Sequence, residues 1–149
     1  MNHRYYMEAA LAEAEKARII GEVPVGAVIV LGDSIIARAY NQKEILQDPT
    51  AHAEMLAIRE ATKNIKAWRL TGATLYVTLE PCCMCAGAII HARIDTVVFG
   101  ASDLKGGACG TCFNLLQESL LNHQVEVIAG VMEEECKQIL KGFFRQLRQ

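Results

Sequence analysis

The sequence predicts a three-layer α/β/α fold, a mixed five-stranded sheet with helices on both faces. Three observations predict it. Short apolar runs rich in β-branched residues alternate with longer stretches of helical periodicity, the pattern left by parallel strands bridged by helices. The first two strand-like runs are separated by the turn signal Gly32-Asp33, so they pair antiparallel and make the sheet mixed. The chain has 149 residues, of which 52% are hydrophobic and 21% charged. A chain of that size forms one domain and buries roughly 70% of its unfolded surface without disulfide support.

The elements follow in order. Met7, Ala10, Leu11, Ala14 and Ala17 share one helical face over residues 5–20, and Gly21 stops that helix. Residues 25–31 read as a buried strand and 35–40 as its antiparallel partner. A loop ending in Asp48-Pro49-Thr50 leads to a helix over 51–64 that Thr50 can cap. Residues 73–79 form a third strand. Pro81 can open the next helix, which runs to about residue 92, because an amide in that position would have no partner. A fourth strand spans 96–100, a helix 115–121, a fifth strand 125–129 and a closing helix 133–147.

Charge and composition exclude several classes of function. With 15 basic and 17 acidic residues the net charge is −2, so a nucleic-acid partner is met by a local patch. No apolar run reaches the roughly 18 residues of a membrane span. The opening Met-Asn-His-Arg-Tyr-Tyr lacks the apolar core of a signal peptide, and the expected location is cytoplasmic. Six cysteines in a reducing compartment read as core residues, metal ligands or redox groups before disulfides.

Two segments carry chemistry: His52-Ala53-Glu54 and Pro81-Cys82-Cys83-Met84-Cys85. Each falls at the expected start of a helix. Cys82 and Cys85 are three apart and share a helical face. Free amides and the positive dipole end at a helix start favour thiolate over thiol. One imidazole and two thiolates fill three tetrahedral zinc positions and leave the fourth for water, as in catalytic sites. Glu54 is then placed to move protons. In mid-helix its offset from His52 would turn the two side chains roughly 200° apart, but at a helix start both can project past the end.

His-x-Glu followed by Pro-Cys-x-x-Cys is the signature of zinc deaminases of nucleobases. The resemblance extends further. Pro24-Val25-Gly26-Ala27-Val28, residues 48–54, residues 74–82, Met84-Cys85-Ala86-Gly87-Ala88-Ile89, Val97-Val98-Phe99-Gly100-Ala101 and Phe143-Phe144-Arg145 are similar to the bacterial tRNA adenosine deaminases. That resemblance implies the cytidine deaminase-like fold, a homodimer, one zinc ion per chain, and conversion of the wobble adenosine of a tRNA anticodon stem-loop to inosine. It makes His52, Cys82 and Cys85 the zinc ligands and Glu54 the proton shuttle. Asn41, Ala53 and Asp103 match substrate-side positions. Cys83, Cys109 and Cys112 stand where aliphatic or small residues are expected.

On the closing helix Lys141, Arg145 and Arg148 recur as a basic stripe with Lys137, and Phe144 borders it. Leu140, Phe143 and Leu147 suit the core. Basic side chains beside an aromatic can hold phosphates and stack a base, so Lys141, Phe144, Arg145 and Arg148 are candidate RNA contacts. A solvated charged face is the plainer alternative.

Other readings stay open. Cys82, Cys85, Cys109 and Cys112 could form a structural four-thiolate zinc site in a non-catalytic module, although 23 residues separate the pairs against a usual spacing of roughly 15–20. A deaminase of a free base or nucleoside, such as guanine or cytosine, needs the same zinc and glutamate. Asn41 could cap a turn. Cys83, Cys109 and Cys112 suit packing, Trp68 a half-buried anchor, His3 a solvated terminus, His91 a helix end and His123 a surface turn.

Overall fold

A computed structural model gives the fold and describes residues 2–148. The elements are α1 (His3–Ile19), β1 (Gly26–Leu31), β2 (Ser34–Tyr40), α2 (Ala53–Ile65), β3 (Thr74–Leu79), α3 (Cys83–Ala92), β4 (Thr96–Ala101), a short 3-10 turn (Leu115–Gln117), β5 (Glu126–Ile128) and α4 (Glu133–Leu147). The five strands lie in the order β2-β1-β3-β4-β5. β1 runs antiparallel to both β2 and β3, while β3, β4 and β5 are parallel. The sheet is therefore mixed, as the hairpin and the later alternation predict.

Period-two alternation divides the core between the two faces. Ala27, Ile29, Leu75, Val77, Val97 and Phe99 pack with Ala57 and Ala61 of α2 and Ile89 and Ile90 of α3. Val28, Val30, Tyr76 and Val98 face the other way, toward Tyr6, Met7 and Ala10 of α1 and Cys136 of α4. Both faces are covered, so β1 and β3 are apolar almost throughout.

The seat of α1 on β1 depends on Gly26. A Cβ there would lie 1.9 Å from the Ala10 carbonyl oxygen and 2.4 Å from the Ala14 amide nitrogen. Both atoms are helix backbone and cannot swing away. Gly26→Ala is expected to lower unfolding stability by about 3 kcal/mol, the upper range for overpacking. Urea denaturation measures it, and a loss under about 0.5 kcal/mol, usual for an uncritical site, contradicts the close approach.

Three local expectations are corrected. Thr50 does not cap α2, because its amide and hydroxyl both donate to Asp48 Oδ1 at 2.8 Å; His52 is the cap residue instead. Pro81 stands one residue before the cap Cys82 and outside α3. The helix expected over 115–121 shrinks to the Leu115–Gln117 turn. Glu118 Oε1 accepts the Leu120 amide, which diverts a donor the helix would need.

Candidate active site

Two helix starts meet beyond the C-terminal end of β3, the central strand of the sheet. His52 caps α2 and Cys82 caps α3, both with extended backbone and neither with its side chain hydrogen-bonded to its own helix. Each side chain can therefore reach past its helix end toward the other. His52 Nδ1 lies 3.7 Å from Cys82 Sγ and 3.6 Å from Cys85 Sγ. The three ligand atoms all fall within 4.8 Å of one another, so they could hold a metal ion. Among the described residues no other set of three or more His, Cys, Asp or Glu gathers this way. The four-thiolate alternative is not formed. Cys109 Sγ is turned to the Pro81 carbonyl and Cys112 Sγ to the Leu104 carbonyl, at 3.9 and 3.3 Å.

Glu54 is the second residue of α2 and is only 4% exposed. Its carboxyl faces a cavity of about 160 Å³. His52, Ala53, Glu54 and Cys82 line one side of it. Val23, Val25, Asn41 and Lys43 line a second, and Leu79, Glu80 and Asp103 a third. The structure thus brings Asn41, Ala53 and Asp103 to the same cavity as His52, Cys82 and Glu54. Asn41 also holds a turn, donating to the Val23 carbonyl and accepting the Lys43 amide, each at 3.1 Å. The turn reading of Asn41 is realised, and the same residue lines the cavity.

The electrostatics suit proton transfer. Burial pushes the Glu54 carboxyl up to about 7, against the pull of its own amide and of His52. A carboxyl near neutrality can both take and give a proton. The Cys85 thiol donates to Cys82, and this holds Cys82 down at about 3 despite burial. The same hydrogen bond, with burial, pushes Cys85 up. The hydrogen bond to Cys82 raises His52. Metal binding releases protons from such a cluster, because thiolate and neutral imidazole are the ligating forms.

Comparison with known proteins identifies the family. The family model of MafB19-like deaminases matches residues 1–148. The tRNA-specific adenosine deaminase of Bacillus subtilis (strain 168) is 60% identical over 143 residues, covering 96% of this chain and 89% of the relative. The chain belongs to the tRNA-specific adenosine deaminase family. The protein of the same name from Haemophilus influenzae (strain ATCC 51907 / DSM 11121 / KW20 / Rd) is 51% identical, covering 96% of this chain and 83% of its own. A solved structure from a study of A-to-I editing by tRNA:A34 deaminases at the wobble position of transfer RNA superposes with a TM-score of 0.88 at 46% identity. That match covers 91% of this chain and 99% of the other.

This deaminase also buries two carboxylates that sequence reasoning missed as site residues. Glu22, 2% exposed, accepts the Glu44 and Ile45 amides at 3.1 and 2.7 Å. It anchors the loop that carries Lys43 into the cavity wall. Glu80, also 2% exposed, accepts from the loop that carries Asp103. The signal in the sequence was an acid set directly against an apolar run, as in Thr78-Leu79-Glu80-Pro81.

The remaining candidates lie elsewhere. Lys141, Phe144, Arg145 and Arg148 line a separate hollow on α4 together with Lys105. Phe143 of α4 is buried, but Leu147 is 65% exposed and leaves the core in the last turn. Trp68 is 59% exposed rather than half-buried, with the Arg69 guanidinium 4.8 Å from its ring centre. His3 is not simply solvated, since its Nδ1 shares a 2.7 Å hydrogen bond with the Tyr76 hydroxyl. His123 reaches the Ile94 carbonyl at 2.7 Å. Cys83 is exposed and Cys109 buried.

Proposed function

We propose that this protein hydrolyses the 6-amino group of the wobble adenosine in a tRNA anticodon, giving inosine and ammonia, as one catalytic domain spanning residues 1–149. The observation that carries the reading is the buried Glu54 carboxyl on a cavity it shares with His52 and Cys82, whose ligand atoms gather with that of Cys85. Relatives that match nearly the whole chain and bear the name tRNA-specific adenosine deaminase support the substrate.

The donor set fits zinc. With Zn–S near 2.3 Å and Zn–N near 2.05 Å, a tetrahedral site separates nitrogen from sulfur by about 3.6 Å. The observed separations are 3.7 and 3.6 Å. Zinc held there supplies Lewis acidity that makes water a nucleophile at neutral pH.

The chain's own groups do the rest. The target base leaves its stack and enters the cavity, at a cost of a few kcal/mol. Asn41, Ala53 and Asp103 border it there. Glu54 takes a proton from the attacking water and passes it to N1 of adenine as oxygen adds to C6. Glu54 next takes the remaining proton from the oxygen now on C6 and gives it to the departing amine; the C6–N bond breaks as the C6 carbonyl of inosine forms, and ammonia leaves. One carboxyl thus serves as base and then as acid.

Lys141, Arg145 and Arg148 are assigned to phosphates of the stem-loop and Phe144 to stacking, from their shared exposure on α4. Changing the three cations to Ala is expected to weaken tRNA binding and to reduce the salt slope by about 1 for each phosphate no longer neutralised. Filter binding between 50 and 200 mM salt, the range over which phosphate-dominated binding weakens by about 10³–10⁵, reads it. Unchanged affinity and slope would remove α4 from the interface. A homodimer is read from the family resemblance, and a tRNA substrate is consistent with the expected cytoplasmic location. No described helix is long and apolar enough to cross a membrane.

The position of editing is the direct check. Zinc-loaded protein is incubated with a stem-loop carrying adenosines at the wobble site and elsewhere in the loop, and inosine is then mapped by sequencing. Inosine at the wobble site alone is expected. Equal conversion of the other loop adenosines contradicts wobble specificity.

A further inference from the structure

We infer that Glu80 is a positioning residue for substrate binding: its buried carboxylate holds the loop of residues 102–113 in place as one wall of the cavity. The inference rests on the deaminase reading for its substrate, but the clamp itself stands on geometry.

Glu80 ends the run from β3 and lies two residues before Cys82. Its Oε1 accepts the Asp103 amide at 3.1 Å and the Thr111 hydroxyl. Its Oε2 accepts the Cys109 and Thr111 amides at 3.0 and 3.1 Å. No ion pair among the described residues includes Glu80. A buried carboxylate is therefore balanced by loop donors alone, and hydrogen bonds to an ionised acceptor are the strong kind. Two of the residues that line the cavity, Glu80 and Asp103, are joined directly by this hydrogen bond.

Elsewhere the loop is ordered by turn hydrogen bonds of its own, such as those from Gly107 to the Asp103 carbonyl and from Cys112 to the Gly107 carbonyl, and by the buried Ala108 and Cys109. Residues 102–113 contain turns and one isolated bridge, between Cys109 and Asn114. The neighbouring Pro81 adds one tie, accepting the Ala108 amide at 2.9 Å. Gly107 runs so close that a Cβ would lie 2.4 Å from the Glu80 carboxyl carbon. The carboxylate thus has loop backbone on several sides, and its negative charge matches every donor it meets.

A glutamine cannot substitute. One carboxyl oxygen faces the Asp103 amide and the other faces those of Cys109 and Thr111. Whichever way the amide is turned, its NH₂ opposes a backbone N–H, and a buried donor is left without a partner. The loop then recovers conformational freedom, and substrate binding must supply the free energy that orders it. Glu54, His52, Cys82 and Cys85 are untouched by these hydrogen bonds. Binding suffers while the chemical step does not.

The test compares wild type, Glu80→Gln and Thr111→Val by stem-loop kinetics, zinc content and amide hydrogen exchange. Thr111 is exposed and its amide survives the change to Val, so this variant keeps the fold. The expected result is a KM raised about 10-fold in Glu80→Gln and about 3-fold in Thr111→Val, with kcat within about 2-fold, the signature of weakened uniform binding. Zinc stays at the wild-type ratio, and faster exchange is confined to residues 102–113. An unchanged KM, or a kcat loss at constant KM, overturns the inference. If Glu80→Gln fails to fold, Thr111→Val decides alone. If wild type does not turn over the stem-loop, the substrate reading fails, and exchange still judges the clamp: unaltered exchange in 102–113 overturns it.

Discussion

Glu54→Gln should lower deamination by about 10²–10⁴-fold, the usual contribution of a positioned acid–base group, with zinc still bound. Glutamine preserves shape and can neither take nor give a proton. Glu54 is 4% exposed on the cavity, so loosely held water cannot readily replace it. Every proton transfer in the proposed sequence passes through this carboxyl. The loss should therefore fall on kcat, and KM should change little, because the borders of the cavity stay in place. Steady-state kinetics with metal analysis of the same preparation separates this from loss of the ion. A variant that keeps more than a tenth of wild-type kcat would assign the protons to another group.

Cys85→Ala should remove the metal and, with it, all measurable turnover. Cys85 is fully buried, and its sulfur is one of three ligand atoms within 4.8 Å of one another. Disturbing groups that merely support a ligand costs about 10–100-fold in metal affinity, so losing a ligand should cost at least that. Stability should fall too, since metal binding to a site absent from the unfolded chain contributes to folding. A strong chelator applied to wild type should reproduce both effects, and added zinc should reverse them. Metal analysis together with thermal melting checks this. A variant with stoichiometric zinc would mean that other residues hold the ion.

The site was legible because its chemistry sits in short spacings at helix starts. Cys82 and Cys85 share a face, and His52 and Glu54 project together only because the chain is still extended at His52. The closing helix was legible in full, Glu133–Leu147, with its basic and apolar residues recurring at helical spacing. Local competition hid other features. Asp48 captures Thr50 and leaves His52 as the cap, and Glu118 captures the Leu120 amide so that an apolar pattern stops short of a helix. Leu120 then stands 88% exposed. Glu22 and Glu80 were hidden for a different reason. A buried acid is marked by the loop amides that converge on it, and those come from 22 to 31 residues away in the chain. Spacing within a motif carries no trace of them.

The central claim is that this chain deaminates an adenosine presented by RNA. Its most direct test is ammonia release by zinc-loaded protein from four substrates in parallel: an anticodon stem-loop with a wobble adenosine, free adenosine, guanine and cytosine, with Glu54→Ala as control. The account predicts ammonia, with matching inosine, from the stem-loop alone and none from the control. Turnover of a free base or nucleoside with the stem-loop untouched would contradict it, leaving the zinc and glutamate chemistry in place but assigning the cavity to a small substrate.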